Sequence, residues 1–376
     1  MISLRFSAVG WSALTVTAIT FSCASSWAVK LDTVAIGNVG NSPDSATGYG
    51  GVSYAYRIGK FEVTVGQYTE FLNAVAQTDT YSLYNPSMAT NLRIAGIARN
   101  GAAGSYSYSV IGSANKPITY VSWGDAARFS NWLDNGQPVG AQGPSTTETG
   151  AYTLNGATSN SALIAVSRSA EARWFITSEN EWYKAAYHQP AALGGDSDDY
   201  WDYPTRTNSE PYSDQPPGIG APTPSNTANF YATDGLANGY NDGHAVTGTT
   251  SSNSSQNYLS NVGAYTFAAS PYGTFDQGGN VYEWNEAVID GAYRGVRGGS
   301  YANLAEKLLS SERFNSRTSP AEESSSVGFR VAFVPEPGAA VLGLFASALF
   351  CSCCRRNARR PQTLGVSAPP SFQSRR

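Results

Sequence analysis

The sequence predicts an α+β domain with short helices, a small twisted sheet and long irregular loops. Strand-like alternation and helix-like apolar spacing lie side by side in several units of the chain. Long stretches rich in Gly, Ser, Asn and Tyr separate these units, and charged residues make up only 14% of the 376 residues. Between two apolar ends lies a part of roughly 300 residues, which is enough for one large domain or two small ones.

The first unit combines a strand with a helix. Residues 56–63 alternate like a half-buried strand, and residues 65–76 repeat apolar side chains at helical spacing. Thr64 is placed to cap this helix, with Gln67 completing a capping box. The residues of the helix predicted to face the core are Phe71, Leu72 and Val75. The stretch 78–114 has no clear period and is predicted to be a loop.

Two further units follow the same plan. Residues 116–123 form an extended entry to an amphipathic helix over 124–133. After a polar insertion at 135–161, a third helix is predicted to start at Thr177 or Ser178 and to run to Tyr187. The region 194–270 is predicted to consist mostly of loops.

The two ends carry targeting signals. Residues 1–28 have a short charged start, an apolar run and a small-x-small site, which is typical of a signal peptide cut after Ala28; a lipoprotein site at Cys23 is the weaker alternative. The other end has Val334-Pro-Glu-Pro337, an apolar stretch and then arginines. This order resembles the PEP-CTERM sorting signal, which implies an exosortase-type membrane protease as a partner. An ordinary single-pass membrane anchor is the alternative, with the same orientation.

These signals divide the chain and give it an expected location. The predicted parts are a signal peptide (1–28), a lead-in (29–53), the domain (54–333), a sorting signal and membrane anchor (334–360) and a basic polar tail (361–376). The expected location is the cell envelope or the extracellular matrix. The net charge of −4 without a basic stripe argues against a nucleic-acid partner. All four cysteines lie in the terminal segments, at Cys23, Cys351, Cys353 and Cys354.

Three short motifs near the end of the domain are the most informative. They are Asp276-Gln-Gly-Gly-Asn-Val-Tyr-Glu-Trp284, Arg294-Gly-Val-Arg-Gly-Gly-Ser300 and Gly328-Phe-Arg-Val-Ala-Phe333. In this order, and together with the three strand-and-helix units, they resemble the sulfatase-modifying factor family, also called the formylglycine-generating enzyme family. The resemblance implies a variant of the C-type lectin fold.

The same resemblance implies a calcium site in the first motif. Ca²⁺ prefers hard oxygen ligands from carboxylates and main-chain carbonyls. The expected ligands are the carboxylates of Asp276 and Glu283 and the carbonyl oxygens of Gln277, Gly279 and Val281. The alternative is that Asn280, Glu283 and Trp284 only hold the core together. A second family site would use Asn229 and Phe230 with residues 262–265, although Gly263 stands where some members have Asp.

Other candidate sites have weaker support. A cluster of acidic residues could form a metal or sugar site, but a solvated acidic loop is the commoner explanation. Its members are Asp196, Asp198, Asp199 and Asp202. His188 and His244 are too few for a three-histidine zinc site. The many loop tyrosines and tryptophans suit recognition of a carbohydrate or a protein.

The family's oxidase reaction is not expected here. Its enzymes bind copper through two cysteines shortly before the Gly-Phe-Arg motif, because thiolates capture Cu(I). The matching segment, 308–320, has no cysteine, although Arg313 and Arg317 remain. We therefore expect an exported, non-catalytic binding or scaffold module stabilised by Ca²⁺, with copper unlikely. The alternatives are a formylglycine-generating oxidase and a hydrolase or other enzyme built on the same loops.

Overall fold

The computed structural model describes residues 28–313 and 318–335. The signal peptide up to residue 27, nearly all of the sorting signal, the basic tail and all four cysteines lie outside this part of the chain. Among the residues that are described, no helix is long and apolar enough to cross a membrane.

Residues 28–313 and 318–335 contain five α-helices, and three of them are the predicted ones. The bounds are α1 Val65–Val75, α2 Ser87–Thr90, α3 Trp123–Asp134, α4 Asn160–Ile164 and α5 Glu179–Tyr187. Thr64 and Gln67 form the predicted capping box of α1, and Ser178 caps α5. Ser122 caps α3 in the same way. Short 3₁₀ turns lie at Ala191–Leu193, Pro224–Asn226 and Ala305–Leu308, and a π-turn lies at Pro144–Glu148.

The strands are short and form several small sheets. Their bounds are β1 Thr33–Ile36, β2 Tyr56–Gly59, β3 Ile97–Asn100, β4 Ser107–Val110, β5 Trp174–Ile176, β6 Tyr212–Ser213, β7 Thr227–Ala228, β8 Tyr231–Thr233, β9 Asp242–His244, β10 Tyr282–Ile289, β11 Tyr293–Arg297, β12 Val327–Gly328 and β13 Val331–Phe333. The largest sheet is antiparallel with the order β1-β2-β13-β5. A second sheet has the order β11-β10-β12, with β10 and β12 parallel.

The main core lies between helices α1 and α3 and the largest sheet. Phe71 of α1 packs edge-on against Phe129 of α3, with ring centres 5.3 Å apart. Phe129 in turn lies 5.4 Å from Phe329, which precedes β13. These rings are fully buried, so the amphipathic spacing of both helices is satisfied by one shared aromatic core.

The lead-in segment packs closely on the rest of the domain. Its strand β1 pairs with β2, with Val34 opposite Ile58. The following residues contact the segment after helix α5, where the Asn41 amide donates to the Tyr200 hydroxyl at 2.7 Å. Lys184 of α5 donates to the Asn38 carbonyl at 2.9 Å. The sheet therefore begins well before residue 54.

Two sequence-based expectations about local structure were wrong. Residues 78–114 are not one loop, because they contain α2 and the hairpin β3–β4, in which Ile97 pairs with Val110. Strand β2 ends at Gly59 rather than at residue 63, since the chain leaves the sheet there. Val63 instead donates its N–H to Phe329 and accepts from Ile118. The region 194–270 is dominated by loops, as predicted, with only short strands.

Candidate functional site

The loop that leads into β10 is tightly curled. Asp276, Gly279 and Asn280 all have left-handed backbones, with φ of 59°, 85° and 60°. Glycine is the residue best suited to such a conformation, and here it is also required for space. A Cβ atom on Gly279 would lie 2.4 Å from the carbonyl oxygen of Asn229.

Asn280 joins this loop to Asn229. Its N–H donates to the Asn229 carbonyl at 2.7 Å, and its Oδ1 accepts from the Asn229 amide at 3.1 Å. The same Oδ1 accepts from the Ser260 N–H at 3.1 Å, and Nδ2 donates to Glu62 Oε1 at 3.1 Å. The structure thus brings together two segments that the sequence singled out, 229–230 and 276–284.

Glu62 adds a buried carboxyl group that sequence reasoning missed. It is 1% exposed, and its Oε2 has no hydrogen-bond partner within residues 28–313 and 318–335. Burial and the neighbouring Asp276 raise the pKa of Glu62 well above its usual value. Asp276 is partly buried; its Oδ2 accepts from the Gly263 N–H at 2.5 Å, and burial raises its pKa to about 6. Two such carboxyls favour a shared proton or a cation.

The Glu283 carboxylate, unlike that of Glu62, has hydrogen-bond donors at both of its oxygens. Its carboxylate accepts from Arg330 Nε and Nη2, both at 2.5 Å, and from the Trp182 indole N–H at 2.7 Å. Both ionic side chains are fully buried. Arg330 also donates to the carbonyls of Gly59 and Phe275. The Glu283 oxygens therefore already have strong donors.

The fit of these residues to Ca²⁺ is partial. Asp276 and the unpaired oxygen of Glu62 supply the hard oxygen that Ca²⁺ prefers, whereas the Glu283 carboxylate is held by a cation. In the described part of the chain, no group of three His, Cys, Asp or Glu side chains is placed to bind a metal. Main-chain carbonyls, including those expected from Gln277, Gly279 and Val281, would have to complete the site. The ligand set remains a prediction.

The segment that would hold copper in the oxidases contains ion pairs instead. Glu179 of α5 accepts from Arg297 Nε at 2.7 Å and also from Arg313. Lys307 pairs with Glu312 at 2.8 Å. These hard, charged groups offer nothing to a soft Cu(I) ion.

The acidic loop and the histidines have structural partners. Asp198 and Asp199 accept main-chain N–H groups of Tyr200 and Ala191, and Asp196 accepts from the Asn208 amide. His188 is fully buried and shares hydrogen bonds with Asn38 and Tyr272. The His244 ring packs against the rings of Tyr231 and Tyr258, with centres 4.9 and 4.4 Å away.

The fold and the buried loop define an α+β, loop-rich domain of the C-type lectin-like class, as the sequence predicted. The chain belongs to the family described as the sulfatase-modifying factor enzyme 1-like domain, whose sequence profile matches residues 50–334. No curated protein shows significant similarity to the chain.

Several solved structures resemble the chain at low sequence identity. CarF is 18% identical, with 82% of this chain and 99% of CarF covered and a TM-score of 0.45. The Treponema denticola variable protein 1 is 19% identical, with coverages of 82% and 96% and a TM-score of 0.44. PvdO from Pseudomonas aeruginosa is 18% identical, with coverages of 81% and 92% and a TM-score of 0.38.

Proposed function

We propose that the domain is an exported, non-catalytic binding or scaffold module at the cell envelope or in the exopolysaccharide matrix. The observation that carries this proposal is the chemistry of the segment before Gly328-Phe-Arg330. It has no cysteine, and Arg313 and Glu312 on it form ion pairs with Glu179 and Lys307. Without thiolates the family's copper-dependent oxidation has no metal ligands.

Calcium is the second part of the proposal. Asp276 and Glu62 are the carboxylates that would hold Ca²⁺, with carbonyl oxygens of the loop 276–283 and Asn229 beside them. The ion would neutralise the carboxyls of Glu62 and Asp276 and fix the curled backbone. Its role would be structural, because the loop that it would bind is tied through Asn280 to Asn229 and Glu62.

Export and sorting complete the proposal. The signal peptide would direct the chain across the membrane, and the segment from Val334 onward would be recognised by an exosortase-type protease. Among the described tyrosines and tryptophans, Tyr54 is 40% exposed and would then be available for a carbohydrate or a protein ligand. This part is supported by the sequence motifs.

The non-catalytic proposal is tested with the purified full-length protein, Cu(I) and a Cys-x-Pro-x-Arg peptide under oxygen. We expect no tight Cu(I) binding and no conversion of cysteine to formylglycine by mass spectrometry. Formation of formylglycine by this chain would overturn the proposal. A cysteine-containing family oxidase is the positive control.

The calcium proposal is tested by thermal unfolding with Ca²⁺ and with a chelator. We expect Ca²⁺ to raise the melting temperature of the wild type and to have little effect on Asp276→Ala. The control is Asp32→Ala, whose carboxylate is exposed and lies 3.8 Å from the Lys30 ammonium at the surface. Equal melting temperatures of the wild type in Ca²⁺ and in chelator would remove calcium from the proposal.

A further inference from the structure

A cleft of about 310 Å³ lies beside the start of helix α3. It is lined by residues 80–82, the first two turns of α3 and residues 321–323, among others. Two of its lining residues are acids on different segments, Asp125 of α3 and Glu323. The volume is at the small end of ligand sites, which suits one sugar ring or a molecule of similar size.

Asp125, which is 3% exposed, uses one carboxylate oxygen to cap its own helix. Its Oδ2 accepts from the Ser122 N–H at 2.8 Å and from the Ser122 hydroxyl at 2.6 Å. Its Oδ1 accepts no hydrogen bond from the described residues, and the side chain lines the cleft. A buried acceptor without a donor is costly, so a donor brought by a ligand would be favourable.

Glu323 brings a second carboxyl group to the cleft. Its Oε2 accepts from the neutral amide of Asn85. The ion pairs nearby use other acids, since Arg128 pairs with Glu148 at 2.7 Å and Arg99 pairs with Asp79 at 3.3 Å. These two pairs are neutral. Among the described residues around the cleft, the carboxyls of Asp125 and Glu323 are therefore left without a positive partner of their own.

The two carboxyls are poorly stabilised in their charged forms. Burial raises the pKa of Asp125 to about 6, although the Ser122 hydrogen bonds and Arg128 oppose this shift. Burial, followed by the nearby Asp125, raises the pKa of Glu323 to about 7. A cation in the cleft would stabilise both carboxylates.

The rest of the lining favours an organic cation over a metal ion. Four side chains with hydroxyl groups line the cleft, and all but the tyrosine are exposed: Thr80, Tyr81, Ser82 and Thr158. Within residues 28–313 and 318–335, no group of three His, Cys, Asp or Glu side chains is placed to bind a metal. A sugar with an ammonium group matches both features, because its charge suits the carboxylates and its hydroxyls pair with hydroxyl side chains.

We propose that this cleft binds a positively charged amino sugar, whose ammonium group is held by Asp125 and Glu323. The ammonium donates to Asp125 Oδ1 and to a Glu323 oxygen, and the hydroxyl side chains of the cleft bind the sugar hydroxyls. In a polysaccharide matrix, such a ligand is a sugar unit with a free amino group. This inference rests on the proposed binding role and names the ligand class.

The test is calorimetric titration of the full-length protein at pH 7 with glucosamine, N-acetylglucosamine and n-butylamine. We expect glucosamine to bind at least about tenfold more tightly than the other two, which lack either the charge or the hydroxyls. Asp125→Asn and Glu323→Gln keep an acceptor oxygen for Ser122 and Asn85 but remove the charge. Each should weaken glucosamine binding at least about tenfold, which corresponds to about 1.4 kcal/mol. The matched control is the exposed neighbour, as Glu322→Gln, which should bind like the wild type.

A blocking variant, Thr158→Trp, fills the cleft from an exposed position and leaves both acids in place, so it should also abolish glucosamine binding. Unchanged melting temperatures of the variants establish that loss of binding reflects the cleft. Three outcomes would overturn the proposal: no binding of glucosamine, equal binding of N-acetylglucosamine or n-butylamine, or wild-type binding by the charge variants. The calcium and formylglycine assays read out separately, so a failed cleft leaves the non-catalytic module standing. Formylglycine formation would instead remove the function on which the cleft rests.

Discussion

Arg330 holds Glu283 through two hydrogen bonds of 2.5 Å in a site where both side chains are fully buried. Glu283 lies in β10, and Arg330 immediately precedes β13. Arg330 also donates to the carbonyl of Gly59, at the end of β2. The pair therefore connects the two principal sheets at a point next to the candidate metal loop.

Glu283→Gln should destabilise the protein by about 3–5 kcal/mol, because it leaves the buried Arg330 charge without its partner. The measurement is urea unfolding in the presence of a chelator, so that any calcium effect is absent. Glu312→Gln is the control, since its ion pair with Lys307 is partly exposed and is worth about 0–1 kcal/mol. A Glu283 variant no less stable than the control would contradict the structural role of this pair.

Gly279→Ala should lower the free energy of unfolding far more than Gly273→Ala does. Both glycines have φ of 85°, so both substitutions carry the backbone strain, which is about 1 kcal/mol. Only at Gly279 would the new methyl meet the Asn229 carbonyl, at 2.4 Å, whereas Gly273 has open space. We expect an additional loss of about 2 kcal/mol at Gly279 in chemical unfolding. Equal losses would show that the loop moves away from Asn229 at little cost.

Much of the fold was predictable because its signals are local. The capping box of Thr64 and Gln67, and the apolar spacing that follows it, determine α1 within a few residues. The hairpin β3–β4 has no comparable signal. Its strand Ser107–Val110 buries only Tyr108, so the sequence shows one large apolar residue among serines, and pairing with Ile97–Asn100 is what makes it a strand.

The candidate site was predictable only in part, since its contacts join distant segments. The sequence singled out the motif around Asp276 and, separately, Asn229, and the structure brings the two into contact through Asn280. Glu62 gave no signal of its own, because it stands at the end of a strand pattern and its neighbours come from the far end of the chain. The pairing of Glu283 with Arg330 could not be predicted from the sequence either, because a carboxylate can bind a metal ion or an arginine.

His188 should make the protein sensitive to mild acid. Burial, followed by the nearby Lys184 charge, lowers the pKa of His188 from 6.5 to about 4. Below pH 6.5 the unfolded chain therefore binds a proton that the folded chain does not bind. The free energy of unfolding falls for this reason as the pH drops towards 4. Between pH 7.5 and pH 5 the wild type should lose about 2 kcal/mol more than His188→Gln. Parallel stability curves for the two proteins would exclude His188 as the cause.

Glu286, on β10, should make the protein less stable as the pH rises, which is the opposite of the His188 effect. Its carboxyl accepts from Tyr152, lies next to Arg168 and shares that arginine with Glu181, while its own carbonyl accepts from Arg294. Burial raises the pKa of Glu286 from 4.5 to about 7; Arg168 opposes this shift and Glu181 reinforces it.

The sign of the Glu286 effect follows from the raised pKa. Between pH 4.5 and 7 the folded chain keeps a proton that the unfolded chain releases, so this group makes the protein less stable as the pH rises. Glu286→Gln removes that dependence, and from pH 5 to pH 8 it should gain about 2 kcal/mol relative to the wild type. Urea unfolding at the two pH values measures the difference, with the exposed Glu70→Gln as control. A pH-independent difference between Glu286→Gln and the wild type would mean that Glu286 is ionised in the folded protein throughout this range, with Arg168 outweighing the cost of burial.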